Sequence, residues 1–126
     1  MPVVRLRFTP LPEHVRTARL VATTVARRVG LRDEVLEGVR LAVGEACARA
    51  VQRSEAMEEP QPVEVDLSDD DARLVIEVRD RAGLPAELGP GTLSLTLVEG
   101  LADHVEVSDG PGGPGGILRL EWGSMR

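Results

Sequence analysis

Aromatic side chains are nearly missing from this sequence, which has one Trp, one Phe and no Tyr in 126 residues. A core centred on aromatic rings is thereby excluded, and Val, Leu and Ala must build it. Cysteine occurs once, as Cys47, so no internal disulfide can form and a reducing cytosol is the expected setting. No apolar run reaches the length of a membrane span and no charged-then-apolar leader opens the chain, which points to a soluble cytoplasmic protein away from membranes. Clustered basic residues are also lacking. The net charge is -6 and the pI about 4.9, with Arg scattered among carboxylates, and this excludes a nucleic-acid surface.

What is present is ordinary for a globular protein, and 126 residues suit a single domain spanning 1–126. Val4, Leu6 and Phe8 alternate with Arg5 and Arg7, the period of a strand with one buried face. From Pro12 the apolar residues Val15, Ala18, Ala22, Val25 and Val29 recur in steps of three and four, the stripe of an amphipathic helix that Gly30 closes. A second helix is expected from Asp33 to about Arg53, with Val35, Val39, Ala42, Ala46 and Ala50 on one face and Cys47 beside them. Alternation then predicts strands around Val63–Leu67 and Leu74–Val78, a loop over 81–92, a short helix over Leu93–Leu101, and strands at Val105–Val107 and Leu118–Trp122. The run Gly110–Gly116, with five Gly and two Pro, reads as a flexible hairpin loop. The expected fold is α+β: a two-layer sandwich whose mixed, mostly antiparallel sheet is covered on one face by helices.

Four segments together carry a resemblance. They are Leu11 to Arg19 (LPEHVRTAR), Leu41 to Ala50 (LAVGEACARA), Val78 to Gly83 (VRDRAG) and Gly91 to Asp103 (GTLSLTLVEGLAD). In this order and spacing the chain resembles the anti-sigma-factor serine kinases of the histidine-kinase-like (GHKL) ATPase superfamily.

The resemblance implies roles for particular residues. Glu45 falls at the position of the base that activates the attacking hydroxyl, and Arg49 at that of an Asn that helps to hold magnesium. A guanidinium has donors only, so it cannot ligate a cation, and no metal-ligating set is expected from these residues. Glu45 and Arg49 also have the spacing of an i, i+4 ion pair; either that pair forms or Arg49 faces a phosphate. Asp80 matches the residue that accepts the adenine amino group. Ala82 and Leu84 stand where two glycines are usual, with Gly83 between them. The backbone of Gly91, Thr92, Leu93 and Ser94 would cradle phosphates at a helix N-terminus, although Thr92 and Ser94 occupy the expected glycine positions. The segment that closes over the phosphates is short, and Ile117 replaces a Thr on the last strand.

ATP and magnesium are thus implied by the resemblance and contradicted by several of the residues. Two functions stay open. One is a regulator that binds a sigma factor, an anti-anti-sigma antagonist protein, or both, as a homodimer with nucleotide binding reduced or lost. The other is an active serine kinase with Glu45 as base and Asp80 reading adenine. His14 and His104 are expected to be surface or cap residues, and Cys47 a small buried thiol.

Overall fold

A computed structural model describes residues 3–123. Strand β1 (Val3–Phe8) leads through a 3-10 turn, Pro12–His14, into helix α1 (Val15–Val29). Helix α2 (Asp33–Ala56) follows, then strands β2 (Val63–Asp69) and β3 (Arg73–Arg79), helix α3 (Thr92–Glu99), and strands β4 (His104–Gly110) and β5 (Gly113–Gly123).

The five strands form one sheet in the order β1-β2-β3-β5-β4. All four pairings are antiparallel, so the sheet is uniform where a mixed one was expected. Tight turns join β2 to β3 and β4 to β5, and α1 and α2 return the chain to the end of the sheet where β1 stops, so that β2 starts opposite Phe8; α3 carries the chain from the end of β3 to the other end of the sheet, and β5 then lies antiparallel between β3 and β4.

Local chemistry explains the helix ends. Gly30 adopts φ +104, and the N–H groups of Gly30 and Leu31 both reach the Ala26 carbonyl oxygen, at 3.2 Å each. That closing turn needs a residue that tolerates a left-handed conformation. Asp33 and Glu34 occupy the first turn of α2, where negative charge meets the positive end of the helix dipole.

The core lies between the helices and one face of the sheet. Val63, Val65 and Leu67 of β2, Leu74, Ile76 and Val78 of β3, and Leu118, Leu120 and Trp122 of β5 point inward against Ala22, Val39, Val43, Ala46, Cys47 and Ala50. The small residues of α2 let that helix sit close to the sheet, which suits a chain with so few aromatics. The single Trp is almost fully buried, and its indole N–H donates to the Leu101 carbonyl at 3.0 Å.

The opposite face of the sheet is charged. Arg5 on β1 pairs with Asp66 on β2 at 2.7 Å, Asp66 with Arg79 on β3 at 2.8 Å, and Glu77 on β3 with Arg119 on β5 at 3.0 Å. Arg119 in turn pairs with Glu121 at 2.8 Å. Their alternation with the inward Val and Leu residues is the period the sequence displays.

The glycine-rich run departs from expectation. It is mostly strand: β4 extends to Gly110, β5 begins at Gly113, and the turn is Pro111–Gly112 alone. The ladder pairs Gly110 with Gly113 and shifts register between Ser108 and Gly110. Contacts from other elements hold this segment in place, as the site geometry makes plain. Helix α3 also begins one residue earlier than expected and stops at Glu99, with Leu101 in the turn that follows.

Candidate functional site

Helix α2 places Glu45, Arg49 and Arg53 at four-residue steps, so all three lie along one edge of its buried stripe. That edge faces the end of β3, the start of α3 and the tip of the β4–β5 hairpin. Arg49 is 2% exposed and Arg53 0%, which makes them two guanidiniums inside the protein rather than on it.

Arg53 and Asp80 form the centre of the site. Arg53 Nε donates to Asp80 Oδ2 at 2.9 Å and Nη2 to Oδ1 at 3.4 Å, with both side chains out of solvent. Nη2 also donates to the Pro114 carbonyl at 3.2 Å. Asp80 Oδ1 accepts a further bond from the Ala82 N–H at 3.1 Å, and the Asp80 N–H donates to Gly116 O at 2.9 Å. Such a pair is held by mutual attraction in a low dielectric and by the bonds that satisfy its remaining atoms. Among the described residues, Arg53 Nη1 and Ser54 Oγ are the buried side-chain polar atoms with no hydrogen-bond partner.

Among the described residues Arg49 has no carboxylate partner. Its Nη2 donates to the Gly115 carbonyl at 3.2 Å. Burial, and then the charge of nearby Arg53, pull its guanidinium down to about 10, against a smaller opposing pull from Asp80. The stem of Arg49 passes against Gly91, where an added Cβ would stand 2.6 Å from Arg49 Cγ and where φ is +98. Glycine is therefore required at that position to admit the arginine.

Glu45 turns elsewhere. Its Oε1 accepts a hydrogen bond from Ser94 Oγ at 2.9 Å, which ties α2 to the first turn of α3. The i, i+4 pairing of Glu45 with Arg49 is thus replaced by Ser94 for the acid and Gly115 for the base. The reason is tertiary, because burial of Arg49 points it across the cleft toward a carbonyl while Glu45 stays half-buried beside α3.

Of the residues singled out in the sequence, Glu45 and Ser94 meet directly, Arg49 packs on Gly91, and Asp80 anchors the far end. Gly83 lies against the hairpin tip, with φ +68. The side chains of Thr92 and Leu93 point to solvent. Arg53 was not singled out. Its signal was its place four residues beyond Arg49 on the same helical edge, which puts a cation opposite the end of β3.

Little space remains beside Asp80. The cavity beside Asp80, bounded by Arg79, Arg81, Gly110, Gly112, Gly116 and Ile117 among others, is about 30 Å³. Small-molecule pockets span roughly 300–1,000 Å³. A larger open groove of about 610 Å³ runs along α1 and α2 past Arg19, Arg40, Gly44 and Glu45, away from Asp80.

Elsewhere the single residues behave as expected. Cys47 is fully buried, and burial pushes its thiol up to about 12. The His14 ring stands 5.9 Å from the Phe8 ring at the start of α1, and His104 is exposed where β4 begins.

Comparison with known proteins places this chain in a family. The profile of the histidine kinase-like ATPase domain matches residues 8–122. The chain is 32% identical to the serine-protein kinase RsbW of Bacillus pumilus, over 87% of this chain and 80% of that protein. It is 30% identical to the RsbW of Bacillus velezensis, over 86% of this chain and 79% of that one, and 29% identical to the RsbW of Listeria innocua, over 82% and 78%. In three dimensions it is similar to a crystal structure of RsbU and RsbW domains from Mycobacterium tuberculosis, with a TM-score of 0.73 at 18% identity over 98% of this chain. It spans 32% of that longer chain, and at this identity the likeness concerns the fold. Among the described residues no helix is long and apolar enough to cross a membrane. The chain belongs to the histidine kinase-like ATPase domain family, alongside the RsbW serine-protein kinases.

Proposed function

We propose that this protein is an anti-sigma-type regulator that works by binding a sigma factor, its antagonist protein, or both, with nucleotide binding and kinase activity weakened or lost. The observation that carries the reading is the state of Asp80. The carboxylate that would read adenine is held by Arg53 at 2.9 Å, out of solvent, next to a cavity of about 30 Å³.

The residues present do not fit a magnesium nucleotide. Arg49 supplies donors where the metal needs an oxygen, and its charge is already turned to Gly115. Phosphoryl transfer depends on positioning and on neutralising phosphate charge, so losing the metal ligand and the adenine contact weakens catalysis far more than it weakens protein binding. Glu45 keeps its carboxylate, but a base that takes the proton of an attacking hydroxyl accomplishes nothing when no phosphate is positioned for that hydroxyl to attack. We take the working unit to be one domain over residues 1–126, active in the cytoplasm as a homodimer, with no role for nucleic acid or membrane.

Thermal unfolding with and without millimolar Mg-ATP tests this reading. A ligand at 100 times its Kd stabilises by about 2.7 kcal/mol, a shift of several degrees for a domain of this size. No shift is expected. A shift that disappears in Asp80→Asn would instead restore the active kinase. Purification of the protein from its native cell is expected to bring down a sigma factor or an antagonist protein, and recovery of neither counts against the binding role.

A further inference from the structure

The tip of the β4–β5 hairpin lies in the cleft as a ligand would. Carbonyls of Pro114 and Gly115 accept from Arg53 and Arg49 at 3.2 Å each, and that of Gly116 accepts the Asp80 N–H at 2.9 Å. Two buried cations facing one carboxylate need further acceptors, and backbone oxygens supply them.

The same tip presses on the 81–91 segment that joins β3 to α3. A Cβ at Gly112 would stand 2.6 Å from the Asp80 carbonyl oxygen and 2.7 Å from Arg81 Cα. One at Gly113 would stand 3.0 Å from Gly83 Cα, and one at Gly115 2.6 Å from the Leu84 oxygen and 2.9 Å from the Ala86 nitrogen. Backbone therefore packs on backbone at three points, an approach that side chains would forbid. Asp109 Oδ1 accepts the Gly115 N–H at 3.1 Å and fixes the shape of the tip. Segment 81–91 has no helix or strand of its own, and these contacts hold its first part, from Arg81 to Ala86.

We propose that the hairpin tip is a built-in occupant of the cleft that pins segment 81–91 in one conformation, whether or not nucleotide is present. The inference rests on the reading that the cleft no longer takes nucleotide, and it adds what took its place. The surface formed by 81–91 and the start of α3 is then constant and does not respond to ATP.

Hydrogen exchange by mass spectrometry on the full chain tests the pinning, using wild type, Gly115→Val and Arg49→Met. Gly115→Val pushes the tip out of the cleft, and Arg49→Met removes one of its anchors while deleting an unpaired buried charge, which keeps the variant foldable. Both are expected to raise exchange at least tenfold over 110–116 and, together with it, over 80–91, including the amides of Asp80, Ala82 and Leu88. The β1–β2 pairing is expected to keep wild-type protection. If loosening the tip leaves 80–91 protected as in wild type, the pinning is wrong. Exchange in 80–91 that slows in wild type on adding Mg-ATP would also overturn it. The two readings fail separately: a thermal shift with ATP and coupled exchange sinks the loss of nucleotide binding, whereas uncoupled exchange without a thermal shift sinks the pinning alone.

Discussion

The fate of one carboxylate turns on a single neighbour. Asp80 and Arg53 are both buried, so removing either leaves an uncompensated charge, which costs about 3–5 kcal/mol. Arg53→Met is expected to fall in that range by urea denaturation, and Arg53→Met combined with Asp80→Leu to recover most of the loss. Additive losses in the double variant would show that the two groups are not coupled. Arg49 differs because it makes no ion pair among the described residues: Arg49→Met is expected to stay within about 1 kcal/mol of wild type, since deleting an unpaired buried cation also deletes its desolvation cost. Its depressed value makes stability depend on pH. The folded state disfavours the protonated form, so the penalty is present below about 10 and is relieved as pH rises through that value toward the unfolded one. Cys47, raised to about 12 in the core, is expected to react with a thiol reagent at neutral pH no faster than the protein opens. Glu45 and Asp80 were legible in the sequence through their segments. Arg53 was not, because an Arg near a helix end reads as a solvated terminus until the fold shows what faces it.

At the scale of elements, the charged face of the sheet sets the response to acid. Hydrogen bonding from Arg5, and then from Arg79, holds the Asp66 carboxyl below its ordinary value, and Arg119 followed by Arg73 does the same for Glu121. A depressed folded value contributes stability that is present above the unfolded pKa and is lost as pH falls through the folded one. Asp66→Asn and Glu121→Gln are therefore expected to lower the urea midpoint at pH 7 and to converge on wild type as pH falls through the depressed folded values, beneath the ordinary carboxylate values near 4. A gap that persists unchanged at low pH would assign the effect to packing. These pairs are partly exposed, so added salt should shrink the difference at neutral pH. The strands and helices themselves were legible, since period-two and period-3.6 patterns survive wherever one face meets water. The glycine run was misread as loose for a physical reason. Glycine's freedom is a property of the isolated chain, and here Arg49, Arg53 and the 81–91 backbone remove it.

For the whole molecule, binding energetics separate a nucleotide-dependent protein from a nucleotide-independent one. The expected result is a melting curve indifferent to Mg-ATP, and affinity for a protein partner equally indifferent to it. Partner affinity that rises or falls tenfold with ATP corresponds to about 1.4 kcal/mol of coupling between nucleotide and partner, and would mean that the cleft still opens.

The residues in order were enough to determine a two-layer α+β domain, its apolar faces, an inert buried thiol and the family likeness, because these depend on short periods or on the order and spacing of segments along the chain. What the cleft holds was decided by tertiary structure. Arg49, Arg53, Asp80 and Gly115 come from a helix, a strand end and a hairpin far apart in the chain, and only folding brings them within hydrogen-bond reach. Whether a buried cation meets a carboxylate, a carbonyl or a phosphate is a question of which backbone lies opposite, and no local pattern encodes that.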